Sequence, residues 1–151
     1  MIVTLVEAGF WIEQAKESFL IKVPEGFIVD YLPTDPRFLA DFMKSSLLDL
    51  GIDVNSVSLR FKMPEELSIS TTFLAPDMEK KYLEQESILE LQRKEQIEPW
   101  EYVFDCYVKN KSQGIVEVYG TAYNKQHVDL YTDLFSLIGK KNKVMLTKGI
   151  A

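Results

Sequence analysis

The sequence predicts an α+β fold, a mixed sheet with flanking helices, on three observations. Three short strands come before any helix and the helices are inserted only afterwards, an order that suits a mixed sheet better than a doubly wound one. One helix has both ends written in its residues, Asp35-Pro36 at entry and Gly51 at exit. A second, longer helix begins near Pro76 and leaves through Ile97-Glu98-Pro99-Trp100 into an aromatic strand.

Taken in order, Ile2 to Val6 reads as a strand, Glu7-Ala8-Gly9 as a tight turn, Phe10 to Gln14 as its partner and Ser18 to Val23 as a third strand. In the first helix Leu39, Phe42, Met43, Ser46, Leu47 and Leu50 share one face, with Arg37, Asp41, Lys44 and Ser45 opposite. Ser56 to Phe61 alternates as a strand, Pro64-Glu65-Glu66 turns, and Leu67 to Phe73 runs into the long helix. Asp77 stands where an N-cap belongs, and Met78, Tyr82, Gln85, Leu89, Gln92 and Gln96, widened by Ile88 and Leu91, form the expected packing seam. Pro99 disfavours helical geometry at Glu98, so the helix ends by Gln96 or Ile97. Tyr102 to Lys109 and Ile115 to Tyr123 form a hairpin around the loop 110–114. The last helix buries Val128, Tyr131, Leu134, Phe135 and Ile138 and stops at Gly139, and Lys143 to Thr147 makes a final strand.

A chain of 151 residues with 46% apolar content can bury a real core as one unit. Its formal charge of -6 gives no reason to bind nucleic acid or an anionic membrane, and points to a basic protein or peptide as the charged partner. Cys106 is alone, which excludes an internal disulfide and a Cys-rich metal site and suits a reducing compartment. The apolar runs are only a few residues long, so no segment inserts into a bilayer.

The residues that carry chemistry elsewhere have structural readings here. His127 is the only histidine, placed toward the apolar side of the last helix with no Cys, Ser or second His nearby in sequence. Cys106 sits inside a strand as a buried thiol. Lys140, Lys141 and Lys143 follow a helix C-terminus, where unpaired carbonyls favour cations. No Asp, Glu, His and Cys set has metal-ligand spacing, and no phosphate-binding glycine pattern is present. Gly9 is followed by bulky Phe10 and Trp11, which argues against a phosphate cradle at Glu7-Ala8-Gly9.

The segment Gly26-Phe27-Ile28-Val29-Asp30, the helix Asp35 to Leu50 with Gly51, the strand Val57 to Phe61 with Pro64, and Glu95-Gln96-Ile97-Glu98-Pro99 before two strands and a helix together resemble a known family. This is the cytoplasmic actin-like domain of type IV pilus and type II secretion inner-membrane platform proteins, of PilM, GspL and BfpC-like type. The resemblance spans residues 18 to 147. It implies a half-sized actin-like, ribonuclease H-like domain over residues 1–151, with a small subdomain inserted at about 64–110. Complete relatives carry an Asp-x-Gly-Ser/Thr hairpin that approaches phosphate, where this chain has Glu7-Ala8-Gly9-Phe10. The implied function is therefore a scaffold that is not an enzyme and holds no cofactor, metal or nucleotide. Its implied partners are the assembly ATPase and neighbouring platform proteins, with a homodimer as a further candidate assembly. It would work on the cytoplasmic side of the bacterial inner membrane, anchored by a transmembrane helix after residue 151.

Glu98, Trp100, Glu101 and Tyr102 form the candidate partner-binding surface, against the alternative that Trp100 plugs the core beneath the helix exit. Strand edges near Val57 to Phe73 or Tyr102 to Tyr119 are candidates for pairing with a partner. The competing enzyme reading is a hot-dog-type acyl-thioester hydrolase or dehydratase with Asp35 or Asp41 as base; a single, highly curved antiparallel sheet around one long helix would mark it.

Overall fold

In the computed structural model, which describes residues 1–146, the chain divides into two units. The first comprises Met1–Glu66 with His127–Met145, and the second is built on Leu67–Gln126.

The first unit is a five-stranded mixed sheet. Strands β1 (Ile2–Val6), β2 (Gly9–Glu13) and β3 (Ser18–Lys22) form the expected antiparallel meander. A two-residue-per-strand hairpin follows, β4 (Ile28–Val29) with β5 (Leu32–Pro33), which the sequence reading missed. Helix α1 (Pro36–Asp49) is capped as expected, the Asp35 carboxylate accepting the Phe38 N–H at 3.1 Å. Strand β6 (Arg60–Lys62) pairs in parallel with β1, so the meander and the later strand share one sheet as an actin-like fold requires. β6 is shorter than the Ser56–Phe61 expectation, because Asp53 folds the preceding residues into a turn by accepting the Asn55 N–H at 3.0 Å.

The later segments close this unit. Helix α3 (Lys125–Ile138) buries Tyr131, Leu134, Phe135 and Ile138. Strand β10 (Lys143–Met145) lies parallel to β6, giving the order β10-β6-β1-β2-β3; Thr147 of the expected last strand lies outside the described residues. In the core the Phe61 ring stacks on Tyr131 at 4.4 Å and on Phe135 at 4.8 Å, and Phe10 meets Phe61 edge-on at 6.0 Å. Asn142 joins the pieces by accepting the Leu59 N–H at 2.9 Å and donating to the Phe135 carbonyl at 3.0 Å.

The second unit is a three-stranded antiparallel sheet with one helix. Strands β7 (Ser68–Pro76), β9 (Ile115–Asn124) and β8 (Tyr102–Ser112) lie in the order β7-β9-β8. The edges are β7 and β8; β9 with Tyr119 is central and β6 is interior to the other sheet, which removes both from the candidate pairing edges. The expected loop 110–114 shrinks to a two-residue turn, since Gln113 and Gly114 both take positive φ and let β8 continue through a bulge to Ser112.

Helix α2 (Lys80–Glu95) departs from expectation at its start and on its face. Asp77 is not the cap: its N–H donates to the Gly114 carbonyl and its carboxylate pairs with Lys111 at 2.6 Å, and the helix begins three residues later. The buried line is Leu83, Ser87 and Leu91, of which only Leu91 belonged to the expected seam, whereas Tyr82 and Leu89 of that seam stand nearly half exposed. The reason is a close approach: a Cβ at Gly120 of β9 would lie 3.1 Å from the Ser87 Cβ, so two small residues set which face of α2 meets the sheet. The helix ends where Pro99 requires, with Gln96 left-handed at the C-cap. Two separate units, one with parallel strands, exclude the single wrapped sheet of a hot-dog fold, and Asp35 is occupied as a cap.

Candidate functional site

In the first unit a cleft of about 810 Å³ opens beside the β1–β2 turn. Its walls are that turn, the exit of β3 and the β4–β5 hairpin, and Leu5, Val6, Val23 and Pro24 give it apolar surface. Glu7, Glu25, Asp30 and Glu66 line it as well, and among the described residues no Lys, Arg or His does. None of these four carboxylates forms an ion pair among the described residues. They do not converge either, for no group of three His, Cys, Asp or Glu among the described residues is placed to hold a metal ion.

The backbone of the cleft is tightly held. Gly9 has φ +150, and a Cβ there would lie 2.0 Å from the Ile21 carbonyl oxygen, so the glycine serves the close pairing of β2 with β3. Val23 N–H donates to the Ala8 carbonyl at 3.1 Å and locks the turn from the other side. The Val23 amide is committed to this bond, and Gly9 is paired with Val6 of β1 and Lys22 of β3. A phosphate at this turn would also meet carboxylates without a cation to offset them.

At the lip, Asp30 and Tyr31 occupy the two-residue turn of the β4–β5 hairpin with φ of +52 and +67. Both positive values define a primed turn, which glycine or asparagine ordinarily fills; a tyrosine there carries a strain of about 1–3 kcal/mol. The Tyr131 hydroxyl donates to the Tyr31 carbonyl and braces the strained residue. Burial pushes the Tyr131 phenol well above its usual range, so it remains a donor. The Tyr31 side chain is 46% exposed and lines the cleft. Sequence reasoning placed Asp30 in a family-like segment but missed this cleft; the turn-forming Asp30 between the short apolar stretches Ile28-Val29 and Leu32-Pro33 was the available signal.

The partner-binding surface expected at Glu98, Trp100, Glu101 and Tyr102 belongs to the second unit. Pro99–Glu101 forms a single 3₁₀ turn, and Trp100 stands 68% exposed on it rather than plugging a core. Glu98 and Glu101 are exposed beside it, while Tyr102 is half-buried and opens β8 with its ring 6.4 Å from Phe104. An exposed tryptophan between two carboxylates is a small amphipathic patch.

The other candidates keep structural roles. Cys106 is buried against α2; burial raises its thiol pKa, with the neighbouring Ser87 hydroxyl opposing the rise. His127 is half-buried in the first turn of α3, and its Nδ1 has no hydrogen-bond partner among the described residues. No helix among the described residues is long and apolar enough to cross a membrane.

A mixed sheet opening with a meander, joined in parallel by later strands and interrupted by a smaller α/β unit, is the architecture of an actin-like domain. Two solved structures share it. One is a PilM-PilN type IV pilus biogenesis complex, matched at TM-score 0.75 and 17% identity over 95% of this chain and 45% of that one. The other is the cytoplasmic domain of EpsL, an inner-membrane component of the type II secretion system of Vibrio cholerae, at TM-score 0.56 and 12% identity over 95% of this chain and 55% of that one. The chain therefore spans about half the length of each. No protein-family model matches it, and no curated protein matches its sequence.

Proposed function

We propose that this chain is a non-enzymatic scaffold domain of a type IV pilus or type II secretion inner-membrane platform, docking the assembly ATPase and neighbouring platform proteins. It acts on the cytoplasmic face, held there by a transmembrane helix following residue 151, as one actin-like domain with an inserted subdomain. The likeness of fold to a PilM-PilN complex and to EpsL supports the setting. The observation that carries the non-enzymatic reading is the cleft at the first hairpin, where a Cβ at Gly9 would strike the Ile21 carbonyl and the lining charge among the described residues is wholly negative.

Calorimetric titration tests it. ATP with magnesium is expected to give no heat, and the N-terminal domain of the cognate assembly ATPase to give a saturable isotherm. Micromolar nucleotide binding would overturn the reading of the hairpin, and silence with the ATPase domain would remove the docking role.

A further inference from the structure

We propose that the cleft between the β1–β2 turn and the β4–β5 hairpin binds an extended segment of a partner protein in which Lys or Arg alternates with apolar residues. This rests on the scaffold reading and names the chemistry of one partner.

The lining sets the chemistry. Leu5, Val6, Val23 and Pro24 offer apolar surface, while Glu7, Glu25, Asp30 and Glu66 offer negative charge with no counterion among the described residues. A volume of about 810 Å³ lies within the range of about 300–1,000 Å³ typical of ligand-binding clefts, room for a few side chains of a partner segment. A single metal ion would need carboxylates that converge, and these do not. Negative charge spread along apolar walls instead complements a chain that brings several cations at intervals. Tyr31 adds an aromatic face at the lip, where an ammonium or guanidinium group gains cation–π attraction as well as the nearby carboxylate of Asp30.

The strained turn supports the same conclusion from a different direction. Positive φ at a bulky tyrosine is a cost to the fold that glycine would remove, and Tyr131 holds the residue there through its backbone carbonyl. The side chain of Tyr31 is thus dispensable for its own turn, and what it contributes is aromatic surface at the cleft.

The test uses the full chain and a fluorescein-labelled octapeptide of alternating lysine and valine, read by anisotropy, beside the same peptide with glutamate for lysine. The lysine peptide is expected to bind and to weaken with added salt, and the glutamate peptide to remain free. Neutralising the cleft by Glu7→Gln, Glu25→Gln, Asp30→Asn and Glu66→Gln together should weaken binding by about tenfold. The same charge change on α2 and its N-cap, at Glu79, Glu84, Glu86 and Glu95, should leave it within about twofold. Tyr31→Gly should raise the thermal midpoint while weakening the peptide at least about threefold, a pairing of opposite signs that general destabilisation cannot produce. Equal losses in the two charge variants, no binding of the lysine peptide, or a Tyr31→Gly variant that binds as tightly as the parent would overturn the proposal. ATP binding in the titration above would instead overturn the scaffold reading, so the two failures are distinguishable.

Discussion

Asn142 shows how much one side chain can hold. Its amide accepts from the buried approach to β6 and donates to the last turn of α3, segments separated by 83 residues in one of those bonds. Asn142→Ala would leave the Leu59 N–H and a helix-terminal carbonyl without these partners, and is expected to cost about 2–3 kcal/mol in urea unfolding. Cys106 makes a prediction with a definite sign. Its folded pKa is raised, so the folded chain keeps a proton that the unfolded chain loses; stability is full below the unfolded thiol value and falls as pH rises through the folded one. Unfolding followed from pH 8 upward should show declining stability above about pH 9, with a shallower decline in Cys106→Ala.

At the scale of elements, α2 separates what sequence shows from what it conceals. Within residues 80–95 periodicity selected Tyr82 and Leu89 with Leu91 at the margin of the seam, and of these three only Leu91 is buried. The sheet selects the line through Ser87 and Leu91 because Gly120 leaves room only for a residue as small as Ser87. Leu91→Ala is therefore expected to destabilise by about 2–5 kcal/mol and Leu89→Ala by less than about 0.5 kcal/mol, measured by urea unfolding. Equal effects would put Leu89 back in the packed seam beside Leu91. By contrast, α1 was legible at both ends, since Asp35, Pro36 and Gly51 act locally, and α3 was legible on its buried face through Tyr131, Leu134, Phe135 and Ile138. The cleft was not legible, because its walls come from turns brought together by strand pairing and their charges follow no motif.

Across the whole molecule, the first unit depends on both halves of the chain, whereas the second is built on one contiguous stretch. β10 supplies the parallel neighbour of β6, and Lys143 and Met63 N–H groups bond across that seam to the Leu59 and Met145 carbonyls, each at 2.9 Å. Truncation after Gly139 removes this ladder together with Asn142. It should lower the thermal midpoint markedly or abolish the cooperative transition, as followed by circular dichroism; an unchanged melt would show that the last strand is ornamental. The long sequence separation of β6 from β10 also predicts slow folding of the first unit relative to the second.

The split of the first unit has a consequence on the ribosome. Residues 67–126 emerge complete and can fold while the nascent chain still lacks α3 and β10. Until those arrive, β6 has an open edge and Phe61 lacks the two rings that stack upon it. That interval, set by translation of about the final sixth of the chain, is when a chaperone would find the most to hold.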